Sequence, residues 1–293
     1  MLDSQLVRVG FVTQLNWRRY GHFWQALVES AGLTAVFADP GAVRERLVAP
    51  ELAHVPALAF RVAAAQALVL ADCDALVVPR LVRETRVARG AGQDPWVMDF
   101  GGSLRSTLPG MQALTAVPSW FDESVESLAF EFMQAQLHDA ALVRRALDRT
   151  RPYARAPRVA APNLVRLPGQ TRTVALLGQP WLVTDALEKL ASRPGEHVVG
   201  QHRLDPEELR EEGLREDARL VDSDAEVLGA ARMLGRRSAV SLLRLVVDEG
   251  SGSDAWLARR VGRGAHKPFE VVTLQELLAD RDLVDTLMDP RLD

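Results

Sequence analysis

The sequence predicts an α/β protein: two doubly wound, Rossmann-like domains with mainly parallel sheets and a cleft between them. Three observations carry this. Short apolar runs alternate with stretches of helical period, the pattern of βαβ units. The alternation halts at a proline-bearing segment and then begins again. At 293 residues the chain is long enough to bury two cores.

In the first half, residues 6–13 (LVRVGFVT) read as a strand. A helix over 17–32 follows, with Asn16 at its N-cap and Gly32 as its stop. Residues 33–38 form a second strand, 57–71 an alanine-rich buried helix, and 75–79 (ALVVP) a third strand. Residues 96–100 and 114–117 are weaker strand candidates, and 123–149 reads as one long helix. Residues 151–169 carry Pro152, Pro157, Pro162 and Pro168 without helical period, which fits a linker or crossover. The expected domains are therefore 1–150 and 170–293.

The second half repeats the grammar. Strands are expected at 173–178 (TVALLG), 197–199, 239–247 (AVSLLRLVV) and 269–273. Helices are expected at 182–192, 206–214, 224–234, 254–261 and 274–288. No period suggests a solenoid.

Composition narrows the function classes. A net charge of −4 with scattered arginines gives no basic patch for nucleic acid. The first residues lack the basic and apolar regions of a signal peptide, and no apolar run would span a bilayer, so a cytoplasmic protein off the membrane is expected. The single cysteine, Cys73, excludes an intramolecular disulfide and any all-thiolate metal site supplied by this chain alone.

The common catalytic and cofactor motifs are absent. There is no G-x-G-x-x-G opening a helix after a strand, no P-loop, no H-E-x-x-H and no G-x-S-x-G. The six histidines form no close metal-ligand pair; His197 and His202 are separated by Gly200, which argues against a shared helical face. These motifs assign no catalytic residue, and no metal or cofactor is expected.

Parallel sheets bind ligands beyond the carboxyl ends of their strands. That rule selects Gln14, Asn16 and Trp17 after the first strand, Arg80 and then Arg83 after the third, and Gly101, Gly102 and Ser103 after residues 96–100. In the second half it selects Gln179 and Trp181, then Asp248, Glu249, Ser251 and Ser253. The last group is polar and glycine-rich, with Ser253 or Asp254 placed to cap the next helix.

These segments resemble the 2-hydroxyacyl-CoA dehydratase component family, in particular its single-subunit relatives associated with activase proteins. Val9-Gly10-Phe11 to Leu15 is similar to the family's V-G-I-P-R-A-L, and Asp74 to Arg80 to its D-x-I-F-L-P-R. Val174 to Trp181 followed by Asp185 resembles I-A-L-V-G-R-P-Y…D, and Pro268 to Leu274 resembles P-F-L-x-L-T-L-D. The resemblance implies two domains with a cysteine-ligated [4Fe–4S] cluster in the cleft between them. The ligand cysteines are replaced here. His54-Val55-Pro56-Ala57-Leu58 stands for C-F-P-x-K, Asp99-Phe100-Gly101-Gly102 for the C-P segment, and residues 247–254 (VDEGSGSD) for F-x-C-G-P-D.

The expectation is thus a non-redox relative that binds a small ligand, anionic or CoA-like, in the cleft with His54 among its contacts, or that acts as a partner subunit or homo-oligomer. The alternatives are a lyase-like enzyme using Asp248 or Glu249 as base with His54, and a metal or cluster held by non-cysteine or partner ligands.

Overall fold

The computed structural model describes residues 7–83, 94–108, 110–111, 114–156, 162–165, 169–279 and 281–288. Pro157 and Pro168 of the expected linker lie outside them.

The first half runs β1 (Arg8–Phe11), α1 (Trp17–Ser30), β2 (Thr34–Phe37), α2 (Pro40–Arg46), α3 (Leu58–Val69), β3 (Ala75–Arg80), α4 (Pro95–Met98), α5 (Phe100–Thr107), β4 (Leu114–Pro118), α6 (Ser124–Leu137) and α7 (Ala140–Thr150). The second runs β5 (Arg172–Leu177), α8 (Asp185–Leu190), β6 (Glu196–Gly200), α9 (Pro206–Leu214), α10 (Asp222–Gly235), β7 (Val240–Val247), α11 (Asp254–Gly264), β8 (Phe269–Thr273), α12 (Leu274–Leu277) and α13 (Leu283–Leu287).

Each half carries a four-stranded, all-parallel sheet, ordered β2-β1-β3-β4 and β6-β5-β7-β8. The two orders are the same order. In both, the chain reverses direction of travel across the sheet between the first and third strands, where the loops splay apart and leave room for a ligand.

Period-two alternation sends residues of each sheet to two cores. Val9, Phe11 and Val77 pack against α1, α6 and α7, while Ala175, Leu177 and Leu245 pack against α10 and α11. The inner faces of both sheets share a single apolar cluster, with Val12 and Val78 of the first half and Val174 and Val246 of the second. Phe60 of α3 and Trp181 beyond β5 meet within it, ring centroids 5.5 Å apart. A shared core of this kind ties the two halves together.

Several expected elements are corrected. Residues 96–100 are not a strand but the helices α4 and α5, because Asp94 and Asp99 each accept first-turn amides and Pro95 sits at N1. The long helix breaks at His138, which turns left-handed (φ 54°), and Asp139 then caps α7. The final helix breaks likewise, with Asp282 capping α13. Ser253 occupies the N-cap of α11 but makes no capping hydrogen bond.

Candidate functional site

A cavity of about 520 Å³ lies at the carboxyl ends of the strands, bordered by both halves. Asn16 comes from the loop after β1, Arg83 from that after β3, and Trp120 and Phe121 from that after β4. Pro180 and Trp181 come from the loop after β5, and His202 from that after β6. The first turn of α10 adds Asp222, Ser223 and Glu226.

The loop after β1 is strained into place. Leu15 and Asn16 are both left-handed (φ 69° and 73°), a conformation uncommon for non-glycine residues and costly for leucine. Buried Gln66 of α3 splints it: its Oε1 accepts the Gln14 amide at 3.1 Å and its Nε2 donates to Thr13 Oγ1 at 3.1 Å. Burial of the Leu15 side chain holds the other end. The result is that Asn16 opens α1 against the cavity without capping it, and its Oδ1 has no hydrogen-bond partner.

Charged pairs stitch the halves across this space. The Arg19 guanidinium donates to both oxygens of Glu226, at 2.9 and 2.8 Å. Burial pushes the Glu226 carboxyl up and the guanidinium pulls against that, while Arg19 is held above its ordinary value by the same partner despite its own burial. The Arg83 amide donates to Asp222 Oδ2 at 3.1 Å, and its guanidinium lies 5.3 Å from the centre of the Trp120 ring. Arg18 approaches Asp185 at 3.5 Å.

His202, Asp185 and Glu188 cluster closely enough to share a cation. Their surroundings oppose one. Arg203 already donates to Asp185 at 2.6 Å and to Glu188 at 2.9 Å, so the two carboxylates are neutralised by a guanidinium. His202 Nε2 lies 3.0 Å from Asp185 Oδ1, and burial lowers the imidazole below its ordinary value. A neutral ring donating from Nε2 leaves Nδ1 as an acceptor, and that buried atom has no partner.

Of the residues selected from sequence, Asn16, Arg83 and Trp181 line the cavity. The others lie elsewhere. Trp17 is fully buried against Phe11, ring centroids 5.2 Å apart. Gln14 is buried with its Oε1 unpartnered. Arg80 ends β3, where its carbonyl accepts the Ser119 amide at 3.1 Å. Gly101, Gly102 and Ser103 belong to α5; the Gly102 amide donates to Asp99, and Ser103 Oγ donates to the Pro95 carbonyl.

The 248–254 loop is a structural knot. Asp248 Oδ2 accepts the Leu58 amide at 2.6 Å and so caps α3 from the other half, while its Oδ1 accepts from Gly250 and Gln275. A Cβ on Gly250 would stand 1.7 Å from the Pro56 carbonyl oxygen. The segments 54–58 and 247–254, which the resemblance equates with cluster-ligand segments, therefore meet in direct contact. His54 and Glu249 are exposed. Ser251 and Ser253 turn to Asp254, and Gln179 Nε2 donates to Asp224 at 3.1 Å and to Asp254 at 3.3 Å. Burial raises both carboxyls, Asp224 to about 7 and Asp254 to about 6.

The cavity residues missed from sequence are chiefly Arg19, Trp120, His202, Ser223 and Glu226. Trp120 and His202 follow strands directly, and the strand-end rule extended to β4 and β6 would have found them. Ser223 and Glu226 sit on a helix start with no local mark of function. No family model, curated protein or solved structure matches this chain.

Proposed function

We propose that this protein binds a small organic molecule in the cavity between its halves and has no iron–sulfur chemistry of its own, as a degenerate relative of the 2-hydroxyacyl-CoA dehydratase components. One observation carries the reading: Asn16 Oδ1, Ser223 Oγ and His202 Nδ1 all lack partners, and all three residues line the same cavity. Buried polar atoms left unpaired cost about 1–3 kcal/mol each, so three around one space point to a partner that fills it. The volume is within the range of small-ligand sites, and Trp120, Phe121 and Trp181 offer flat apolar walls.

Binding suits the site better than proton transfer. Glu226 is held by Arg19, Glu207 by Arg210, and Asp222 accepts the Arg83 amide, while Asp205 caps α9. None of these carboxylates is left free to act as a base. The family relationship rests on the motifs quoted above, and the replacement of each cluster cysteine is what removes the iron–sulfur chemistry.

Native mass spectrometry of gently purified protein tests the reading. A bound small molecule is expected, and it should be lost in Ala156→Trp, which places bulk at an exposed position on the cavity rim. Protein that stays empty after exposure to a metabolite extract would overturn the proposal.

A further inference from the structure

Resting on that ligand-binding reading, we infer that the ligand is held by an oxyanion, a carboxylate or a phosphate, seated between the N-termini of α1 and α10 on Ser223 and Asn16, with Arg155 as counter-charge.

Both helices are 14 residues long, and both bring their first turns to the cavity wall. Neither has a side-chain cap. Asn16 is left-handed and makes no capping bond, and the cap of α10 is Val221, which has no acceptor to offer. Several other helices are capped by an acid, by Asp39, Asp99, Asp139, Asp205 or Asp282 for example, while the N-cap residues of α3, α6 and α11 also make no capping bond. Uncapped first-turn amides and the positive end of the helix dipole together favour an anion.

The orphaned side chains point the same way independently. Ser223 is 3% exposed and Asn16 9%; each has a buried oxygen without a partner, and both residues line this cavity. A serine hydroxyl is free to donate. The amide of Asn16, turned about its last bond, offers its NH₂ where its oxygen is now placed.

The charge balance permits an anion. Five arginines line the cavity against four carboxylates, and the carboxylates are the engaged ones described above. Asp222, which shares the first turn of α10 with Ser223, turns its Oδ2 to the Arg83 amide. Arg155 is exposed at the rim and has no ion pair among the described residues. An oxyanion takes up little of about 520 Å³. Trp120, Phe121 and Trp181 are among the remaining lining, which suits a planar apolar body attached to the anionic group.

The test uses benzoate and inorganic phosphate as probes and benzamide as the neutral control, followed by isothermal titration calorimetry at low ionic strength. At least one oxyanion should bind, and which of the two binds more tightly distinguishes carboxylate from phosphate. Ser223→Ala and Arg155→Gln should each weaken that binding about tenfold, the size of a lost hydrogen bond to a charged group. Arg263→Gln, which does not line the cavity, should leave binding unchanged, whereas benzamide should bind more weakly than benzoate. Benzamide binding as tightly as benzoate, and competing with the molecule recovered by mass spectrometry, would overturn the oxyanion while leaving the ligand-binding reading intact. No binding of either oxyanion would also overturn it. The broader reading falls only if the purified protein is empty as well.

Discussion

Two regions at the strand ends have opposite fates. The loop after β7 is rich in acids, glycines and serines, and its sequence looks like a binding loop. Yet its polar groups are spent internally: Asp248 caps α3, Ser251 and Ser253 turn to Asp254, and Gly250 lies flush against Pro56. The first turns of α1 and α10 look ordinary in sequence, and they leave buried polar atoms unpaired beside a cavity. Ligand-like composition is a poor guide because folding can consume the same chemistry. What marks a site is polar capacity left over once the fold is complete.

Substitutions can break or sharpen this contrast. The largest effect should come from Arg19→Met, which strands the buried Glu226 carboxylate; a loss of about 3–5 kcal/mol in denaturant unfolding is expected. A much smaller loss would mean that Glu226 already folds protonated. Next comes Gly250→Ala, which drives a methyl into the Pro56 carbonyl and should cost about 1–3 kcal/mol with no loss of function beyond that of a destabilised fold. Asp248→Ala should cost about 2 kcal/mol by uncapping α3 across the two halves, measured as a lower urea midpoint at unchanged slope.

The pH dependence follows from Asp224. Its carboxyl titrates at about 7 in the folded protein, because burial and nearby Asp254 disfavour the charged form, against an ordinary value near 3.8. The folded state therefore binds more protons than the unfolded state between those values, and this group's contribution falls as pH rises from about 4 through 7. Asp224→Asn, which keeps an oxygen for Gln179, removes that loss. The variant should gain on the order of 1–3 kcal/mol over the parent at pH 8 and nothing at pH 4; a difference independent of pH would sink the assignment.

The smallest effect on stability is also the most telling. Ser223→Ala should cost the empty protein no stability and raise its unfolding free energy by about 1 kcal/mol, since it removes a buried hydroxyl that has no partner, while it weakens ligand binding. A clear loss of stability would show that the hydroxyl has a structural partner, and would erase the contrast between the two regions.

The parallel strands were legible in sequence because apolar runs such as 173–178 and 239–247, buried on both faces, leave a local pattern. Residues 96–100 were misread because Trp96, Val97 and Phe100 favour strands by propensity, whereas the caps Asp94 and Asp99 decide for helix. Of the site, Asn16, Arg83 and Trp181 were readable, since strand ends are local features. Glu226 was not, because its partner Arg19 is 207 residues away.

By itself the sequence determined the fold class, the lack of a set of thiolates for a cluster and the strand ends where a ligand could sit, since each depends on residue type and short-range period. Tertiary structure decided which polar groups were used up and which were left over. That balance depends on contacts between distant segments, and a hydroxyl such as that of Ser223 carries no local sign of whether a partner will arrive.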